Sequence, residues 1–134
     1  MSEINLVEAA RGAVFVAIAA GLVGINAVAL DTVPQDQEPN FVQLDDLDWV
    51  NEGGKRDPEL RITIDIVTIY RGEDRADLLA IMHANERALV DVQLEADGVT
   101  LQGGRVVAGS ASGAAPDGVT YAGLQTFELY AEPA

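Results

Sequence analysis

The 134-residue chain has no cysteine and only one histidine, His83. The first absence excludes disulfides, thiolate metal sites and cysteine nucleophiles, and it leaves the redox compartment unread. The second removes most imidazole chemistry, because a lone histidine completes neither a zinc site nor a nucleophile–base–carboxylate set. Aromatic residues are 5% of the chain, and Trp49 is the only tryptophan. Cations are also scarce: 8 Lys and Arg stand against 22 Asp and Glu, for a formal net charge of −14. Binding to nucleic acid depends on Lys and Arg neutralising phosphates, so direct DNA binding is not expected. A channel that DNA must traverse without sticking is a different case, and there negative walls help.

What is present is a globular composition, 49% apolar, of a length that suits one domain over residues 1–134. The longest apolar run is "AVFVAIAAGLVGI", Ala13 to Ile25. It is preceded by Glu3 and Glu8 against Arg11, unlike the positive start of a leader, although Ala27-Val28-Ala29 imitates a cleavage site. The run is short for a membrane span and rich in Ala and Gly, so it reads as a buried helix with no membrane contact. Ser2 is its expected cap and Glu3 lies in its first turn. Leu6, Ala10, Ala13, Val14, Ala17 and Ile18 recur at helical spacing, with Gly21 and Gly24 as stops.

"NAVAL" (Asn26 to Leu30) reads as a short strand, and Pro34 and Pro39 mark a loop after it. "FVQL" (Phe41 to Leu44) resumes an extended segment, and the acidic stretch 45–57 reads as a protruding loop with its tip at Gly53-Gly54. The clearest strand is "ELRITIDIVTIYR", where Leu60, Ile62, Ile64 and Ile66 alternate with Arg61, Thr63 and Asp65. That period of two predicts a sheet with one buried face and one wet face. A second helix follows, capped by Asp74 with Asp77 imitating a capping box, buried along Leu78, Ile81, Met82, Leu89 and Val92, and ending near Leu94 before Asp97-Gly98. Two extended runs close the chain, joined by a hairpin loop over residues 109–118. The order α-β-β-β-α-β-β predicts an α+β domain, with two helices on one face of a mostly antiparallel sheet.

Each constellation that could carry chemistry has a plainer reading. Asp46 and Asp48 fit alternate positions of a calcium loop, but Val50 breaks the pattern and the central glycine is missing, so the carboxylates read as a solvated surface. Asp65 would need an apolar pocket to act as an acid, and Arg61 and Thr63 on its face suggest an exposed cross-strand ion pair instead. "GSASG" resembles a nucleophile elbow, but its central residue is Ala111. "QGGRVVAGSASG" lacks the lysine and following helix of a phosphate loop. Trp49, set among acids, is either folded over the sheet edge or held out as an interface anchor. No catalytic, cofactor-binding or metal site is expected, and the chain does not read as an enzyme.

The succession of "LVEAARGAV", "LDTVPQDQEPNFVQL", "IVTIYRG", "ADLLAIMHANERALVD", "LQGGRVV" and "GLQTFELYA" resembles the tail terminator (tail completion) proteins of long-tailed phages and gene transfer agents along nearly the whole chain. The long acidic segment Asp45 to Asp57 departs from the common pattern. The resemblance implies a ring, in that family a hexamer, seated on the last ring of tail-tube subunits at the head-proximal end of the tail. Such a ring stops tube growth and offers a joining surface to the head connector or stopper. It would be part of the virion, assembled in the host cytoplasm, with DNA only as cargo in its channel. Interfaces with copies or partners are then expected at Asp45, Asp46, Asp48, Trp49, Arg61, Arg71, Arg105, Ser110 and Ser112. Subunits this acidic repel one another, so ring contacts should rest on apolar and backbone pairing, with Arg61, Arg71, Arg75, Arg87 and Arg105 set against neighbours' acids. The competing expectations are another virion ring (tube, stopper or neck), a small acidic enzyme, and a DNA mimic.

Overall fold

The computed structural model describes residues 5–96 and 98–134. Helix α1 (Leu6–Gly21) begins at Asn5, whose side chain accepts from the Glu8 amide at 3.1 Å. The expected capping residue Ser2, with Glu3, lies outside the described residues, as does Asp97 of the expected turn at Asp97-Gly98. The buried side of α1 is made of small and branched residues, Ala9, Ala10, Ala13, Val14 and Ile18. Small side chains let the two helices approach closely: a β-carbon on Gly21 would stand 3.3 Å from the Ala88 β-carbon. The helix stops where expected, and Gly24 takes the positive φ of +84° that the chain needs to turn back.

Six strands form one sheet: β1 (Val28–Leu30), β2 (Phe41–Asn51), β3 (Leu60–Arg71), β4 (Leu94–Ala96), β5 (Val99–Ala111) and β6 (Thr120–Pro133), in the spatial order β1-β2-β3-β6-β5-β4. Only the β1–β2 pair is parallel. Helix α2 (Arg75–Leu89) crosses over between β3 and β4. Its cap is Asp74, which accepts from the Ala76 amide at 3.0 Å. Asp77 does not complete a capping box: its carboxylate accepts from the Tyr70 hydroxyl at 2.7 Å.

Both helices lie on one face. There Val42, Leu44, Ile62, Ile64, Ile66, Leu101, Phe127 and Leu129 pack against Val14, Ile18, Leu78, Ile81 and Leu89 in a single core. The other face of the sheet has no layer over it among the described residues. A buried amide cluster pins α2 to the core face. Asn85 Nδ2 donates to Gln125 Oε1 at 3.1 Å, and Gln125 Nε2 donates to the Met82 carbonyl at 2.9 Å.

Besides the short first strand, which begins at Val28 rather than Asn26, three boundaries differ from expectation, each for a local reason. Residues 45–51 belong to β2, because residues 47–51 pair with residues 60–64 of β3 and Asp45 and Asp46 form a bulge within the strand; the acidic loop shrinks to residues 52–59. Residues 109–111 belong to β5, so the second hairpin loop is residues 112–119. Helix α2 ends at Leu89 rather than near Leu94, since Asp91 turns at φ +55° and its amide donates to the Gly104 carbonyl at 3.1 Å. That contact needs glycine at 104, where a β-carbon would collide with the Leu89 carbonyl oxygen. Leu94 and Val92 thereby leave the helix, and Leu94 starts β4.

Candidate assembly surface

The open face of the sheet is written by the strand register. Partners directly opposite in an antiparallel pair share a face. Arg61 pairs with Tyr130, Thr63 with Glu128 and Asp48, Asp65 with Thr126, and Arg105 with Glu128, so all of these project away from the helices. Glu128 is the centre of this face. It is only 5% exposed, yet it accepts from Arg105 Nε at 3.1 Å and lies 3.7 Å from Arg61 Nη1. Arg61 Nε in turn lies 2.7 Å from Glu52, a charge contact without hydrogen-bond alignment. Two guanidinium groups around one sunken carboxylate explain how the acid tolerates burial.

The exposed cross-strand ion pair expected at Asp65 is not formed: its face neighbour on the same strand, Arg61, turns to Glu52 and Glu128. Asp65 accepts instead from the Thr126 hydroxyl at 2.7 Å. Arg71 is separate from both, 3.9 Å from Glu38 at the far end of β3. These arginines are thus engaged inside their own chain, whereas Arg75 and Arg87 have no ion pair among the described residues.

Asp45 and Asp46 sit at a bulge in β2, between the Leu44 and Leu47 rows. With Asp65, Val67, Ser110, Ser112 and Leu124 they line a groove of about 520 Å³. Ser112 is also a fastener: its hydroxyl accepts from the Ala122 amide at 2.9 Å. Trp49 is opposite Ile62, on the helix side of the sheet, and remains 53% exposed beside the equally exposed Val50. It is therefore not folded into the core. His83 is an exposed residue of α2, 3.9 Å from Glu86.

Two ionisation shifts mark tight local contacts. The Tyr70 hydroxyl is pushed up to about 12, chiefly by its hydrogen bond to Asp77, then by burial and the surrounding acids. The Asp117 carboxyl is held below its ordinary value by hydrogen bonds from the Thr120 side chain and from the Val119 and Thr120 amides, which close the β5–β6 turn. Tyr70 and Asp77 also line a pocket of about 300 Å³ with Ile25, Asn26, Asn40, Ala80 and Ile81. Among the described residues no three His, Asp or Glu converge as a metal site, and no helix is long and apolar enough to cross a membrane.

Sequence reasoning missed Glu128 and the two sheet edges. The signal for Glu128 was a single acid between Phe127 and Leu129, at the position of the alternation that should face water. The edges carried no local signal, because they follow from the order of strands. β1 covers β2 only along Phe41–Gln43, and β4 covers β5 only along Val99–Leu101. Among the described residues, the rest of each long strand has no strand partner on its outer side.

The class defined by this geometry is an α+β domain with two helices on one face of a six-stranded sheet and two partly open edges. No family model matches the chain, and no curated protein sequence matches it. Among solved structures, 97% of the chain aligns with 99% of a chain in a structure described as the virion of a native gene transfer agent (GTA) particle. The TM-score is 0.73 and the identity 22%, a likeness that establishes the fold.

Proposed function

We propose that the chain is a structural protein of a phage-like virion, and within it the tail terminator: a ring of copies that caps the tail tube, stops its polymerisation and presents the joining surface to the head connector. The observation that carries this reading is the end-to-end agreement of fold with a gene transfer agent virion chain, with almost nothing left over on either side. The segment order that resembles the terminator family supports the finer assignment. Surface chemistry supports it too, since the buried carboxylate of Glu128 is held between two arginines of its own chain. The residues proposed to meet copies or partners are Asp45, Asp46, Asp48, Trp49, Arg61, Arg71, Arg105, Ser110 and Ser112.

A ring of chains each carrying −14 surrounds its channel with like charge, which repels DNA phosphates and the subunits alike. Added salt screens that repulsion, so ring formation in solution strengthens as ionic strength rises. The deciding experiment is imaging of the parent particle with the chain labelled. One labelled ring at the head-proximal end of the tail is the expected result. Label repeating along the tail would make the chain a tube protein, and particles without label would remove it from the virion.

A further inference from the structure

We infer that copies of this chain join edge to edge, the open edge of β5 in one copy pairing antiparallel with the open edge of β2 in the next; this deepens the ring reading and rests on it. The two edges are long and unlike each other. On β2 the outer side is uncovered from Leu44 to Asn51 and carries Asp45, Asp46 and Asp48. On β5 it is uncovered beyond Gly104, over residues 105–111, which contain Arg105 and no acid. An uncovered strand is a row of unpaired amides and carbonyls ready to accept another strand.

Charge decides which edges meet. A β2–β2 contact would set three aspartates against their own copies. A β5–β2 contact sets Arg105, with Ser110 and small residues, against the acidic edge. The aspartates therefore act against a two-fold dimer and in favour of a head-to-tail contact, the kind that can close into a ring.

Strand direction agrees. β2, β3, β6 and β5 alternate antiparallel across the sheet. Four strands are an even number, so β5 runs opposite to β2. Repeating the subunit side by side then continues the antiparallel alternation across every boundary, with no strand reversed. Height agrees as well. Asp48 is level with Thr63, Glu128 and Arg105, and Leu44 is level with Ile66, Gln125 and Gly109. The two open stretches thus overlap in height on opposite sides of the subunit, residues 44–48 of β2 standing level with residues 105–109 of β5. A contact carried by backbone hydrogen bonds is also what a strongly acidic chain needs, because such bonds are indifferent to net charge.

Two measurements test the joint. Amide hydrogen exchange is compared between the assembled and the dissociated wild-type chain. Protection should rise about tenfold or more, the exchange equivalent of roughly 1.4 kcal/mol, at amides of both residues 44–51 and 105–111. If either edge exchanges in the ring as fast as in the monomer, the joint is elsewhere. The second measurement uses the variants Asp46→Lys/Asp48→Lys and Arg105→Glu, with melting curves for each and Arg105→Gln as a milder substitute beside Glu128. Each variant alone should need at least about tenfold more protein to assemble. A one-to-one mixture should associate again, because it retains an unaltered pairing between the β5 edge of the first and the β2 edge of the second. Folded variants that assemble like the wild type, or a mixture that stays apart, overturn the edge joint while leaving the ring. A wild-type chain that stays monomeric at high concentration and high salt overturns the ring itself.

Discussion

On β3, Ile62, Ile64 and Ile66 turn toward the helices and are at most 1% exposed, while Arg61, Thr63 and Asp65 between them reach the open side. β6 repeats the contrast: Phe127 and Leu129 are fully buried, and Thr126 and Tyr130 are partly open. The covered face holds the fold by apolar burial. The open face holds charges in fixed positions and contributes much less to stability. The difference shows that a domain can be firm on one side and remain chemically available on the other, using alternate residues of the same strands.

Substitutions on either side of that divide should separate widely. Phe127→Ala, at the centre of the covered face, should cost about 3–5 kcal/mol in denaturant unfolding, through lost burial and a cavity. If its cost falls below that of Glu128→Ala, the assignment of the two faces is wrong. Glu128→Ala leaves Arg61 and Arg105 without their shared acid, but both are partly solvated, so the loss should be smaller, roughly 1–2 kcal/mol.

A third prediction probes the rim of the covered face, where Tyr70 meets Asp77. A spectrophotometric titration should find one tyrosine ionising near 12. An unfolded tyrosine loses its proton near 10, so between roughly pH 10 and 12 the folded chain holds a proton that the unfolded chain has released. Stability contributed by this contact is therefore present below pH 10 and declines as pH rises through that window. Asp77→Asn should bring the titration down toward the ordinary value; an unchanged titration would mean that Asp77 is not the cause. The smallest expected effect is Thr63→Val on the open face, within about 0.5 kcal/mol of the wild type by the same unfolding measurement.

Much of the covered face could be read from the sequence. The alternation of β3 and the helical spacing of Leu78, Ile81, Met82 and Leu89 are local patterns, and local patterns survive folding. The acidic half of β2 could not be read the same way. Asp45, Asp46 and Asp48 have poor strand propensity; Asp48 is extended because β3 supplies Thr63 as its partner, and Asp45 and Asp46 are carried in a bulge between paired rows. The early end of α2 depends on Gly104, fifteen residues beyond Leu89 in sequence, accepting the Asp91 amide. Of the residues expected at interfaces, Arg61 and Arg105 prove to share Glu128, and Asp45, Asp46, Ser110 and Ser112 share one groove. Only a three-dimensional neighbourhood reveals such sharing. Why Asn85 Oδ1 lies buried without a hydrogen-bond partner has no account in the contacts around it.

The two short strands have a mechanical consequence. β1 lies level with Ala111 and β4 lies level with Asn51, so they occupy diagonally opposite corners of the sheet. Copies meeting along their long edges would find a ledge at each end of the seam, like staves cut with stepped ends. Such staves seat at one offset and resist creep in either direction. A head-to-tail contact whose offset drifts winds into an open helix, whereas one with a fixed offset can close. The three-residue strands, which add little to the core, are thus well placed to decide whether a string of these subunits becomes a hoop or a spring.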